Sequence, residues 1–342
     1  MSRLDQESEV IQLADELGVE WRVQPVQNII RFCLKKIGKW VGEAGSVTTI
    51  ADLERLVCQK LRLVFEEIWT DADLDQIVRK YVPLGEAVFA TLKNEFDEET
   101  FATLVQRRNA SQKAPDLYVA IIDCRGPKAS RRFFTRWHEI AHLLTLTRQL
   151  QFHFHRSKND RCPIEKLMDV IAGEVGFYDP IFAPALKTEA RTRKRLSFDG
   201  VEAIRSRFCS HASLQATLFA AVGRFPTPVI YVEVGLGYKK HERALLRSSQ
   251  LDLFPSPPPV AKLRVLQVTP NDAARGCGFR IDRNMRVPTG SILSKQFSSS
   301  EGVESLDDWC HSDGTSVGTG LIHVEARSQH ERVVALIQPV RQ

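Results

Sequence analysis

Phe134-Thr135-Arg136-Trp137-His138-Glu139-Ile140-Ala141-His142-Leu143-Leu144 places apolar side chains at Phe134, Trp137, Ile140, Ala141 and Leu144, the three-and-four spacing of a helix with one buried stripe. His138 and His142 lie four residues apart, so both imidazoles leave an adjoining face of that helix, one above the other. Two imidazoles so placed can grip one zinc ion, and Glu139 beside them is a candidate general base for a water held there. A pentapeptide with three fixed positions also arises by chance. Its setting favours a metal site over histidines that merely pack: the apolar stripe is continuous, and Ser130 is positioned to cap the helix start.

Two histidines do not hold zinc alone, so the third ligand decides the type of site. A glycine and a third histidine shortly after the motif are ruled out, because Thr145 and Arg148 occupy those places. A downstream acid is expected instead. Glu165 is best placed, in a second helical pattern where Ile164, Leu167, Met168, Ile171, Ala172 and Val175 mark one face and Pro163 suits the first turn. Asp169, one turn further on, reads as the acceptor of the free ring N–H of a zinc histidine, fixing its tautomer. The alternative for both acids is an ordinary solvated helix flank. Glu174 stands in reserve as a ligand. His153 and His155 alternate as on a strand and read as structural residues, with zinc contact as their other use. Cys162 reads as a helix-entry cysteine that packs, although it could approach the metal.

Phe134-Thr135 ahead of His138-Glu139-x-x-His142, followed by Glu165, a short polar residue four later and an Ala-rich continuation, resembles the ImmA/IrrE metallopeptidases, which act on helix-turn-helix repressors. The resemblance implies that His138, His142 and Glu165 are zinc ligands and that Glu139 is the catalytic acid. The sequence departs from that pattern at several points. Arg136 and Trp137 replace a small apolar pair, Ala141 stands where glycine is common, and Gly176-Phe177-Tyr178 replaces an apolar pair and its neighbour.

The 342-residue chain, 43% hydrophobic, can fill two or three modest cores, and it contains no apolar run long enough to span a membrane. Its polar, charged start is not a secretory signal. Seven scattered cysteines without a C-x-x-C spacing argue for a reducing compartment and against a cysteine-based zinc site. A cytoplasmic location is the expectation. The net charge of +5 is too small by itself to argue for nucleic acid.

Residues 11–17, 26–40 and 52–61 read as helices, and 62–68, 101–105 and 118–122 as strands. A sheet ahead of the metal helix is what a zincin-like α+β domain needs, since it floors that helix and its edge can align a peptide. The basic run Lys187, Arg191, Arg193, Lys194 and Arg195 has the composition of a solvated linker. It precedes two helical patterns, 198–208 and 211–222, that resemble the family's helix-turn-helix-like insert. Such a pair could dock on DNA, but a packing module that supports the peptidase or presents a partner is favoured. Further on, 229–234, 263–268, 321–325 and 333–337 read as strands, with Ser328-Gln329-His330 as a hairpin loop and Phe254-Pro255-Ser256-Pro257-Pro258-Pro259 as a stiff spacer. His323, on an apolar strand, reads as a core histidine. The resemblance allows this C-terminal part to be a GAF-like sensory domain.

The expected organisation is therefore a zincin-like metallopeptidase domain over 1–190, a helix-turn-helix-like helical insert over 191–225 and a C-terminal mixed α/β regulatory domain over 226–342. The expected activity is a zinc-dependent limited cut in a cognate helix-turn-helix repressor, relieving repression under stress. Zinc would polarise the scissile carbonyl while Glu139 moves the proton. Tyr178 and Tyr118 are candidate oxyanion stabilisers. The competing class is a non-catalytic, zinc-stabilised regulator that binds a repressor or DNA.

Overall fold

The computed structural model describes residues 3–111, 114–147, 154–157, 162–247, 259–298, 303–307, 309, 317, 321–329 and 331–340. It is an α+β protein with two sheets. The chain forms two compact units, Met1–Phe182 with Arg205–Ala216 and Ala183–Ile204 with Thr217–Gln342. Residues 191–225 fall partly in each. No helix among the described residues is long and apolar enough to cross a membrane.

The first unit opens with helices α1 (Ser8–Glu16), α2 (Pro25–Ala44) and α3 (Ile50–Leu61). At the start of α3, Thr49 Oγ1 accepts from Asp52 N at 3.1 Å and Asp52 Oδ2 accepts from Thr49 N at 3.1 Å, so two donors of the first turn are matched reciprocally. Strand β1 (Leu63–Ile68) and helix α4 (Asp71–Tyr81) follow, then strands β2 (Thr100–Gln106) and β3 (Tyr118–Asp123), helix α5 (Arg132–Leu144), strand β4 (Phe154–Ser157) and helix α6 (Pro163–Gly176). The sheet order is β1-β3-β2-β4, with β1 parallel to β3 and both β2 pairings antiparallel. Five consecutive buried residues from Val119 to Asp123 mark β3 as a central strand covered on both faces. Helix α5 packs on β3 and β2, and α6 packs against α5.

Helix α7 (Asp179–Arg193) leads on to α8 (Phe198–Phe208) and α9 (Leu214–Arg224). Lys187, Arg191 and Arg193 thus lie on a helix, not on the linker their composition suggests, because the apolar side of α7, including buried Leu186, carries the chain through the charged stretch. The second unit then contains β5 (Ile230–Gly237), α10 (Lys240–Arg247), β6 (Lys262–Pro270), α11 (Asp272–Gly276), α12 (Ile292–Ser298), β7 (Val303–Asp307), β8 (Ile322–Gln329) and β9 (Arg332–Pro339). Its sheet, ordered β6-β5-β9-β8-β7, is antiparallel at every pairing among the described residues, so the expected mixed α/β part is an antiparallel sheet with helices attached. Ile230, Val232 and Val234 alternate into a core shared with Val324, Ala335 and Ile337. Gln338 binds the chain at Leu196 from both sides, accepting from its N–H at 2.9 Å and donating to its carbonyl at 2.8 Å.

The β8–β9 hairpin is tighter than the sequence suggests. Ser328 and Gln329 remain in the ladder opposite Val333 and Arg332, because the continuously buried run 333–338 of β9 fixes the pairing and the polarity of the loop residues does not interrupt it. His323 is half-buried on β8. Residues 254–258 of the proline-rich segment lie outside the described residues.

Candidate metal centre

Helix α5 starts without the side-chain cap expected from Ser130, whose hydroxyl instead donates to the Pro127 carbonyl at 2.9 Å. A 3-10 helix over Gly126–Arg131 runs directly into α5, and its Ala129 carbonyl accepts from Arg132 N. Carbonyls of the preceding turn thereby match donors that a cap would otherwise take. Once formed, α5 is buried nearly all round: Trp137, Ile140 and Ala141 are fully covered, and His138, Glu139 and His142 are 1%, 1% and 3% exposed.

The four-residue spacing does what it predicts. His138 Nε2 and His142 Nε2 lie 3.2 Å apart. Glu165, from the first turn of α6, brings Oε2 to 2.9 Å from His138 Nε2 and Oε1 to 3.3 Å from His142 Nε2. Asp169 Oδ1 sits 2.8 Å from His138 Nδ1, which assigns the ring proton to Nδ1 and turns the Nε2 lone pair into the cluster. Burial alone would raise the Glu165 carboxyl, but hydrogen bonding and charge from His138 and His142 outweigh it and hold the group well below the usual carboxylate range.

These three residues form a possible metal-binding group. Donors held about 2.0–2.1 Å from a tetrahedral ion lie about 3.3 Å from one another. The imidazole nitrogens, 3.2 Å apart, and the two Glu165 oxygens, one 2.9 Å from His138 Nε2 and the other 3.3 Å from His142 Nε2, lie at about that spacing, and three donor residues leave a fourth position open. The residues present therefore fit a bound divalent ion.

Neither Glu174 nor Cys162 belongs to the group. Glu174 is nine residues beyond Glu165, half a turn out of phase, and so faces away from it. His153 lies outside the described residues, as does the side chain of His155 on β4. Tyr178 directs its hydroxyl at α2, where a Cβ added to Gly38 would lie 3.3 Å from it. Tyr118 opens β3 beside Arg62, whose carbonyl accepts its N–H at 3.0 Å.

The departures noted at 136–137 and 176–178 are complementary in space. Trp137 is fully buried, and a Cβ on Gly176 would stand 3.0 Å from its Cγ and Cδ1, so the large residue on α5 requires the small one on α6. Phe177 closes the same cluster, with its ring 5.4 Å from Phe133 and 5.2 Å from Phe182. Arg136, which sequence alone marks only as unusual, leaves the opposite side of α5. It donates to Glu67 at 2.6 Å and to Glu54 at 3.0 Å, and its guanidinium lies 4.0 Å from the Phe65 ring centre. Arg132 shares Glu67 at 2.6 Å.

No protein-family model and no curated protein matches the chain. The class that fold and site define is thus given by geometry alone: an α+β protein whose two helices converge on a His-His-Glu donor set.

Proposed function

We propose that this protein is a zinc-dependent endopeptidase with a zincin-like catalytic domain, related to the ImmA/IrrE metallopeptidases, that makes a limited cut in a helix-turn-helix repressor. The observation that carries the proposal is the convergence of His138 Nε2, His142 Nε2 and the Glu165 carboxylate at 2.9–3.3 Å from one another, with the carboxylate of Glu139 on the same helix and left out of the donor set. A His₂Glu set with one open position is a donor set of catalytic zinc, whereas structural zinc sites close all four positions with protein ligands.

His138, His142 and Glu165 would hold the metal, and Asp169 would keep His138 in the tautomer that presents Nε2. Zinc in such a site supplies Lewis-acid polarisation of the scissile carbonyl and a water acidic enough to ionise near neutral pH. Glu139, next to His138 in sequence and 1% exposed, would take that proton on its carboxylate and return it to the departing amide nitrogen. The substrate strand has a natural seat. Among the described residues β4 is an edge of the first sheet, and it lies in sequence between the two ligand helices, so an extended peptide could pair with it there. The repressor as target, release of its genes under stress, a cytoplasmic setting and a regulatory role for 226–342 rest on the resemblance. Contact of the 191–225 segment with DNA is the weaker part of that inheritance.

Metal analysis of the purified protein should give about one zinc per chain, reduced in Glu165→Ala. Incubation with candidate repressors and with casein, read by mass spectrometry, should give one metal-dependent cut in a repressor and little casein digestion. Broad casein digestion would show a general degrader. Tight repressor binding with no cut, equally in wild type and Glu139→Gln, would establish the zinc-stabilised regulator instead.

A further inference from the structure

The second unit concentrates positive charge at a place the proposed chemistry does not use. Residues 282–289 run beside the edge strand β6: Val265 N donates to Met285 O at 2.9 Å, Asn284 N to Val265 O at 2.7 Å and Val287 N to Leu263 O at 3.0 Å. This pairing makes Arg264 and Arg286 direct antiparallel partners, so their side chains leave one face side by side. Like charges in that relation destabilise a ladder. Arg264 is also only 1% exposed. Its Nη1 donates to Asn284 O at 3.2 Å and its Nη2 lies 3.6 Å from Glu242 Oε2, but its buried Nε–H meets no acceptor among the described residues. A buried guanidinium donor left unmatched calls for a missing acceptor.

Both arginines line a cavity of about 520 Å³, to which Lys239 and Arg283 add positive charge and Asp282 alone adds negative. Asp282 is itself engaged by Arg280 at 2.7 Å. An adjoining hollow of about 910 Å³ shares Arg283 and Asn284 and adds Lys240, Arg243 and the side chains of Tyr238 and Leu266.

We propose that this is a binding site for a small, phosphate-bearing organic anion, with its phosphate oxygens between Arg264, Arg286, Arg283 and Lys239 and its less polar portion against Tyr238 and Leu266. Guanidinium groups match phosphate oxygens in pairs, and an anion between two arginines turns their repulsion into shared attraction. Concavity favours a small molecule over a nucleic acid backbone, because the Arg264 guanidinium lies below the surface, where a rod-like duplex does not bring its phosphates.

The 342-residue protein is titrated by calorimetry with inorganic pyrophosphate, a nucleoside diphosphate and a short DNA duplex, as wild type and as the Arg283→Gln/Arg286→Gln double variant, both positions being exposed. The nucleoside diphosphate should bind saturably and more tightly than pyrophosphate, and the double variant should lose about tenfold or more in affinity for both. Unliganded Arg286→Gln should melt no lower than wild type, since it loses a repulsion. No saturable binding of either small anion, or undiminished binding by the double variant, overturns the proposal. So does a lowered melting temperature of Arg286→Gln, which would make that arginine a structural partner, and so does duplex binding, lost in the double variant, without small-anion binding.

Discussion

Around α5, arginines meet carboxylates, Arg136 lying between Glu54 and Glu67 and Arg132 sharing Glu67, while the imidazole of His138 faces Glu165 and Asp169. Beside β6, Arg264 and Arg286 meet each other, and the cavity they line has one carboxylate among its charged side chains. Each arrangement has a physical cost that points to what completes it. Two imidazoles and an ionised carboxylate crowded within about 3 Å present lone pairs with no cation among them, which suits a metal. Two guanidinium groups on one face, with the Arg264 Nε–H unmatched among the described residues and Glu242 no nearer than 3.6 Å, present more donors than acceptors, which suits a phosphate. The sign of the unbalanced charge is therefore the first fact to read about a buried polar cluster, and it separates these two sites before any chemistry is assigned.

The comparison breaks most sharply at Glu139. If the α5 cluster is a reaction centre, Glu139→Gln should keep fold and zinc content yet lose about 10²–10⁴-fold in peptide hydrolysis, measured as initial rate under saturating repressor. Unchanged hydrolysis would remove Glu139 from the chemistry. Asp169→Asn tests the orientation of His138 and should weaken zinc binding about 10–100-fold in a chelator competition. Equal affinity would reduce Asp169 to a surface acid, in keeping with its 48% exposed side chain. Charge balance itself is tested by Glu67→Gln, which removes the carboxylate shared by Arg132 and Arg136, leaving Arg136 with Glu54 alone, and should lower stability by about 2 kcal/mol in urea denaturation, where Arg286→Gln in the second unit should cost nothing. Equal losses in the two variants would erase the contrast between the units.

The smallest effect expected is on acid stability. Burial alone would raise Glu67, but Arg132 and Arg136 outweigh it and hold its carboxyl below the usual range. Asp123 behaves likewise, burial being outweighed by Arg125 and Lys128. A carboxyl lowered in the folded state contributes stability above its unfolded value, about pH 4, and loses it as pH falls through the folded value. Melting temperature should therefore drop more steeply between about pH 5 and pH 3 in wild type than in Glu67→Gln. Parallel curves would show that the ion pair is no stronger folded than unfolded.

Sequence made the ligand cluster legible because its parts are local. His138 and His142 are fixed by helix pitch, and Glu165 and Asp169 by the apolar phase of α6, so one assumption, that the two stripes face each other, brings all four together. Strands β1, β3, β5 and β9 were legible for the same reason, from runs of β-branched and aromatic residues. Helix α4 was missed although Thr70 and Asp73 signal its start, with Asp73 Oδ2 accepting from Thr70 N at 2.7 Å. The Trp137–Gly176 fit and the Arg264–Arg286 pairing could not be read at all. Each joins residues distant in sequence whose individual types are ordinary, and only register or helix packing reveals that they touch.

Arg136 has a consequence for tolerance. It leaves α5 two residues before His138, about 200° around the axis, so the grip of Glu54, Glu67 and Phe65 acts as a stop against rotation of the whole cylinder. A ring nitrogen carried about 6 Å from the axis swings by about 1 Å for every 10° of roll. Metal bonds tolerate errors of about 0.2 Å, which allows a roll of only about 2°. A guanidinium on the far side of the helix would in that sense be the adjusting screw of the candidate metal site: it touches none of the three donors, and it would set how true they run.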